Sequence, residues 1–442
     1  MAEVLLSVGL DIGTTSTQMI LSQLTIENQA SAFSVPEMAI TQRKILYKSP
    51  IRFTPLLRGD LVDGEGIRKL ITAEYEKAGI SRSHVDTGAI IITGETSRKE
   101  NAATVLQSIA DFAGDFVVTT AGPALESVLA AKGAGAAVYS EETGNTVLHM
   151  DIGGGTSNLA LIEDGRITAT ACLNVGGRLL KFDSSGVVTY ISPVLDGIYN
   201  GSVGEKPALS ELEALTDTLA AALEMAAGLR TPTDLLEKLW TKECTSPWTP
   251  PNADVVISFS GGVADCMETK HADFAFGDIG VLLGSAIAKS RLCQGNYRFG
   301  AETIRATVIG AGCHSTQLSG STVYHQNVTF PLKDLPVVTD ISALARLDMP
   351  GILALTGTAD NYAQITALAD EIHATWPVQP VLIALQGDIA KALGHALALR
   401  FPRDAAILCL DRLLLTEDSF LDIAAPVSTA LPVVVKTLIL NR

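Results

Sequence analysis

DIGTTSTQMIL at residues 11–21 lies over DIGGGTSNLAL at residues 151–161 without a gap, at an offset of 140 residues. Asp, Ile and Gly open both copies; Ser16 then faces Thr156, Thr17 faces Ser157, Gln18 faces Asn158 and Met19 faces Leu159. An apolar run precedes each copy, VLLSVGL before the first and TVLHM before the second, and another follows. Each copy therefore reads as a strand, a tight glycine-rich turn and a second strand. The second copy continues through the turn EDGR into a further antiparallel strand, ITATACL. A turn alone requires neither hydroxyls nor an acid at the strand end. Those residue types suit a polyphosphate cleft. Gly13, Gly153, Gly154 and Gly155 let the backbone come close to phosphate, and successive N–H groups form an anion nest. The hydroxyls of Thr14, Thr15, Ser16, Thr156 and Ser157 add donors. Asp11 and Asp151, each closing a first strand, would point into one cleft and hold a hydrated Mg²⁺.

Outward from the repeat, the chain alternates strand and helix patterns. Strands are expected at 88–93, 116–120 and 254–260, and helices at 100–112, 123–131, 209–229, 233–240 and 281–291. The small-residue string KGAGAA at 132–137 would let two helices cross closely, and DVVISFS runs into Gly261-Gly262. A second alternating region follows, with strands at 351–355, 381–385, 406–410 and 432–440 and helices at 362–375 and 389–401. The predicted fold class is α/β, with a core over 1–299 (halves about 1–140 and 141–299). A C-terminal α/β module over 300–442 is expected to serve partner binding or scaffolding.

Composition narrows the function. The 442 residues are 47% apolar and 18% charged, and 32 basic against 48 acidic residues give a net charge of −16. A chain this apolar can bury a large core, and one this acidic is a poor partner for nucleic acid or an anionic membrane. The longest charge-free stretch, 306–332, is rich in Ser, Thr, Gln, Asn and His, so no membrane span is expected. The N-terminus lacks the basic region of a secretory signal. Six scattered cysteines without a CxxC pair read as reduced thiols of a cytosolic protein, with no zinc site. Gly310-Ala311-Gly312 after the strand-like ATVI opens like a dinucleotide fingerprint. Its sixth position is Ser315 and β-branched residues follow, which predicts a turn with no helix there. Arg43, Lys44, Lys48 and Arg52 are the candidate γ-phosphate cations of the N-terminal region, although a solvated hairpin face accounts for them better.

Two phosphate hairpins, a small-residue helix, a strand-Gly-Gly element and a final small-residue helix come in the order of the actin-like ATPase superfamily. That superfamily includes actin, the heat-shock chaperones and the sugar kinases, and the resemblance covers residues 4–291. It implies duplicated ribonuclease-H-like subdomains, with SFSGG at 258–262 as the adenosine motif and Gly261 and Gly262 beneath the nucleoside. Within that superfamily the chain most closely resembles the ethanolamine ammonia-lyase reactivating factors. The stretches that carry this are GLDIGTTSTQ, ITGETSRKENA, GPALESVLAAKGAGA, HMDIGGGTSNLALIEDG, SFSGGVADC and TVIGAGCHSTQLSGSTV.

The family resemblance implies an ATP- and Mg²⁺-dependent chaperone that releases damaged cobalamin from inactivated ethanolamine ammonia-lyase, so that adenosylcobalamin can rebind. The implied setting is the cytoplasm, in association with a bacterial microcompartment. The coenzyme would belong to the lyase, since the Asp-x-His-x-x-Gly signature of base-off cobalamin binding is absent. One departure from the superfamily is the turn Ala121-Gly122-Pro123, where the chaperones carry Asn-Glu-Pro; Glu126 is the nearest replacement for that catalytic carboxylate. Two alternatives remain open, a small-metabolite kinase and a nucleotide-gated assembly protein, as does a homo-oligomeric state.

Overall fold

The computed structural model describes residues 3–13, 16–30, 38–57, 61–92, 109, 117–120, 123–242, 248–251, 254–314, 316–319, 323–347, 349–357, 359, 361–376, 380–413, 415, 419–426 and 430–437. Thr14, Thr15, the Ala121-Gly122 turn and, apart from residue 109, the helix expected at 100–112 lie outside the described residues.

The two copies of the repeat build two sheets of one design. In the first, β1 (Glu3–Ile12) pairs antiparallel with β2 (Ser16–Asn28), and β2 pairs antiparallel with β3 (Met38–Lys48) and the short β4 (Arg52–Phe53). On the other side of β1, β5 (Thr87–Ile92) and β6 (Val117–Thr120) run parallel. Helix α1 (Gly64–Ala78) starts where the Asp63 carboxylate accepts the Gly66 N–H at 2.9 Å, and stops at left-handed Gly79. Its Ile67, Ile71 and Tyr75, four residues apart, bury one stripe against Val8, Leu10 and Ile90 of this sheet. Helix α2 (Pro123–Gly133) and helix α3 (Ala136–Thr143) then lead to the second copy.

There β7 (Val147–Ile152), β8 (Ser157–Glu163) and β9 (Arg166–Leu173) form the antiparallel part, followed by the two-stranded β10 (Leu180–Phe182) and β11 (Val188–Ile191). Helices α4 (Leu209–Ala226) and α5 (Asp234–Leu239) precede β12 (Val256–Ser260), helices α6 (Gly262–Glu268) and α7 (Gly280–Lys289), and β13 (Tyr297–Phe299). Strands β12 and β13 are parallel to β7. The orders β3-β2-β1-β5-β6 and β9-β8-β7-β12-β13 are the same topology with the same strand directions. This is the duplicated unit of the actin-like ATPase fold.

The repeat holds at the level of register. Asp11 lies opposite Gln18 and Ile12 opposite Thr17; Asp151 lies opposite Asn158 and Ile152 opposite Ser157. Gly13 N–H donates to Ser16 O at 2.8 Å, and Gly153 N–H to Thr156 O at 2.9 Å.

One expectation is corrected here. The segment ATVIGAGCH, expected to pass from strand to turn, is helix α8 (Ala306–His314). Its β-branched residues and glycines favour helix poorly by themselves, but the glycines are what the packing needs. A Cβ on Gly310 would stand 2.6 Å from the Leu129 carbonyl carbon of α2, and one on Gly312 would stand 2.9 Å from Gly9 N of β1. Gly133, in the KGAGAA string, faces Ala306 and Gly310 in turn. Backbones thus approach where no side chain fits, and tertiary contact overrides propensity. Because α2 also packs on β7, β8 and β9 while α8 packs on β1, β2 and β5, this crossing joins the two sheets. The expected division at 299/300 falls ahead of α8.

Beyond α8 a third sheet begins. It contains β14 (Thr316–Leu318), β15 (Tyr324–Gln326), β16 (Leu332–Val338), β17 (Ile352–Leu355), β18 (Val381–Leu385), β19 (Ile407–Leu410), β20 (Ser419–Ile423) and β21 (Pro432–Thr437). The order is β14-β21-β20-β16-β17-β18-β19-β15, with β16 to β19 mutually parallel. Helices α9 (Tyr362–Thr375) and α10 (Ala390–Ala398) bury Ile365, Ala369, Leu393 and Leu397 against it. Among the described residues no helix is long and apolar enough to cross a membrane.

Candidate functional site

A cleft runs between the two repeat sheets, and both glycine turns open into it. Its walls include Asp11, Gly13, Ser16, Glu126, Asp151, Gly153, Gly154, Gly155, Thr156, Gly261 and Gly262. The structure thus brings most of the expected site residues together. Among the described ones Ser157 is the exception: it is fully buried, and its hydroxyl donates to Val175 O at 2.8 Å. Strand alternation explains this, because Ser157 and Thr17 turn inward from β8 and β2 while their neighbours Asn158 and Gln18 face the cleft. The basic cluster near residue 43 stays away. Arg43 Nε donates to Cys313 O at 2.9 Å, Lys48 pairs with Glu302, Arg52 lies 3.8 Å from Glu74, and Lys44 is exposed on β3.

Asp151 stands next to the last residue of β7 and is held from behind. Ser260 Oγ donates to its Oδ1 at 2.5 Å, and Thr307 Oγ1 of α8 donates to Oδ2 at 3.4 Å. Ser260 in turn lies 2.9 Å from His149 Nε2, and Ser258 Oγ lies 3.1 Å from Nδ1. A hydroxyl has one proton, so Ser260, which gives it to Asp151, accepts from Nε2–H, and Nδ1 accepts from Ser258. Burial, reinforced by the charge of Arg298, lowers the His149 pKa to about 3, which keeps the ring neutral in this chain of bonds. Burial pushes the Asp151 carboxyl up, against the pull of Ser260 and Thr307. A cation in the cleft would restore its charged form.

Two amides complete the pseudo-symmetric pattern. Gln18 Nε2 donates to Ile304 O at 3.3 Å and Asn158 Nδ2 donates to Glu126 Oε2 at 2.9 Å. Each residue is only 4% exposed, and each amide oxygen, Oε1 and Oδ1, is buried with no hydrogen-bond partner among the described residues. A buried acceptor left bare is costly. Two such oxygens, each beside an aspartate across a strand pair, fit the water ligands of a hydrated divalent cation. Among the described residues no group of three or more His, Cys, Asp or Glu converges as a direct metal cage.

Several wall residues were not foreseen from the sequence. Gln18 and Asn158 face each other in the repeat and were legible from it. Thr307, Arg178, Lys181 and Tyr190 come from distant segments and carry no local pattern.

Gly261 and Gly262 play different parts. Gly261, at φ +89°, packs against the backbone of Ile152, where a Cβ would stand 2.6 Å from its carbonyl carbon. Among the described residues Gly262 has open space where its Cβ would be, so of these two glycines it is the one that leaves room for a ligand to lie on the backbone.

The family model of the ethanolamine utilisation protein EutA matches residues 3–348 and 348–441. The ethanolamine ammonia-lyase reactivase EutA of Salmonella typhimurium is 39% identical, over 98% of this chain and 98% of its own. Its namesake in Escherichia coli is 38% identical over the same shares. Among solved structures, a Ppx/GppA family member from Aquifex aeolicus is 12% identical, covering 70% of this chain and 97% of its own at a TM-score of 0.42. That likeness is too distant to bear on the site. The full-length matches are decisive: the chain belongs to the EutA family of ethanolamine utilisation proteins.

Proposed function

We propose that the cleft binds and hydrolyses Mg·ATP, and that this drives reactivation of ethanolamine ammonia-lyase by releasing damaged cobalamin so that adenosylcobalamin can rebind. The observation that carries the nucleotide reading is the doubled set of aspartate, bare amide oxygen and glycine turn in one cleft. Family membership supports the lyase as partner, since both curated relatives are named as its reactivases.

In this reading the backbone N–H groups of Gly154 and Gly155 take phosphate oxygens, those of Gly13 and Gly153 closing the turns on Ser16 and Thr156, and Ser16 and Thr156 add hydroxyl donors. Asp11 and Asp151, with Gln18 and Asn158, hold the water shell of Mg²⁺. The ion would neutralise charge on the phosphates as it builds during transfer. Glu126, anchored by the Asn158 amide, orients the attacking water and takes its proton. Gly262 lets the nucleoside lie on the backbone. Closure of the cleft is relayed through the crossing of α2 and α8, which touches both sheets. We assign residues up to His314 to this ATPase core and the third sheet to recognition of the lyase. The setting is the cytoplasm, in association with a microcompartment.

Phosphate release by the purified chain tests the reading. Release that depends on Mg²⁺ and ATP, and is unchanged by small hydroxylated acceptors, is expected. Transfer of phosphate to such an acceptor would make the protein a kinase instead.

A further inference from the structure

The segment after β9 is laid directly on the second glycine turn. Gly177 N–H donates to Gly153 O at 3.0 Å, and Arg178 N–H donates to Gly154 O at 2.6 Å. Gly176 is so close that a Cβ on it would stand 2.6 Å from the Gly154 carbonyl carbon. The Arg178 side chain then passes along the turn, with its Cδ 3.2 Å from where a Gly154 Cβ would be. Behind it, Asp278 Oδ2 meets Nε at 3.1 Å, while Asp278 Oδ1 accepts the Gly280 N–H at 2.8 Å near the start of α7. The Asp278 side chain is 6% exposed and that of Arg178 is 31% exposed. A fixed, buried carboxylate therefore steadies a guanidinium that opens to the cleft, and a guanidinium has four N–H donors besides Nε.

Charge points the same way. Among the described residues the cleft wall carries three carboxylates, Asp11, Glu126 and Asp151, and two cations, Arg178 and Lys181. Lys181 sits over the Tyr190 ring at 5.0 Å. A triphosphate entering such a wall needs a fixed cation, and the planar fork of arginine matches phosphate oxygens.

We propose that Arg178, positioned by Asp278, binds the phosphate chain of the nucleotide directly. This rests on the reading of the cleft as a nucleotide site. Calorimetry with Mg·ATP and with adenosine tests it on the full chain. Arg178→Ala should weaken Mg·ATP roughly tenfold to a hundredfold, the worth of a charge-assisted contact, and leave adenosine within about twofold. Arg178→Lys should fall between. The double variant Arg178→Ala with Asp278→Asn leaves no unpaired buried carboxylate, so the same selective loss in it excludes a folding defect. Mg·ATP affinity within about twofold of wild type, or equal loss for adenosine and Mg·ATP in the double variant, would overturn the assignment. A wild-type chain that binds neither ligand would overturn the nucleotide reading itself, and this assignment with it.

Discussion

Gly155→Ala separates ligand approach from folding. Among the described residues nothing lies within 4 Å of the Cβ that this change adds, and Gly155 is not in the left-handed region. The folded protein therefore gains no clash. The unfolded chain loses freedom, which stabilises by about 0.4–1 kcal/mol, so the thermal midpoint should hold or rise by at most about 2–4 °C. The methyl group nevertheless occupies a wall of the cleft and keeps a phosphate from the turn's N–H groups. Losing one charge-assisted hydrogen bond there costs about 1.5–3 kcal/mol, or roughly 10- to 150-fold in Kd. Isothermal titration with Mg·ATP, run beside thermal unfolding of the same preparation, reads both quantities. Unchanged ATP affinity in a folded Gly155→Ala protein would refute the claim that phosphate lies on this turn. Gly154→Ala is a poorer probe, because its Cβ also meets the Arg178 stem.

Asp151→Asn keeps an acceptor for Ser260 but removes the charge facing the cation; Mg²⁺-dependent hydrolysis should drop about 100-fold or more, with secondary structure by circular dichroism unchanged. Gly310→Ala drives a Cβ into the Leu129 backbone; urea unfolding should show about 1–3 kcal/mol lost to overpacking, less up to about 1 kcal/mol regained in helix propensity. A chain ended after residue 299 loses α8, whose Val308, Ala311 and Cys313 are buried, and should aggregate on size-exclusion chromatography. A chain ended after residue 314 should stay soluble, bind Mg·ATP and fail to reactivate the lyase.

The duplicated core was legible because its constraints are local. A strand-end aspartate, glycines where backbones approach phosphate, and hydroxyls in a turn recur at a fixed offset, and no folding detail can hide that. The same alternation that shaped β2 and β8 sorts inward Thr17 and Ser157 from outward Gln18 and Asn158, yet hydroxyl chemistry alone had suggested Ser157 as a ligand. Helix α8 was misread because its glycines answer to α2 and β1, about 180 and 300 residues earlier in the chain. Arg178 and Asp278 stand 100 residues apart and meet only in the fold. In the third sheet the apolar runs of β17, β18 and β19 were plain. Strand β16, reading LKDLPVV, was not, because Lys, Asp and Pro argue against a strand until its pairing with β20 and β17 is seen.

The central claim is that nucleotide chemistry in this cleft restores the lyase. Ethanolamine ammonia-lyase inactivated with cyanocobalamin is incubated with the full chain, adenosylcobalamin and Mg²⁺, and recovered deamination is followed with ATP, without nucleotide, and with the Asp151→Asn variant. The account predicts recovery only with ATP and the wild-type chain. Equal recovery without nucleotide or with Asp151→Asn, or no recovery under any of these conditions, would contradict it.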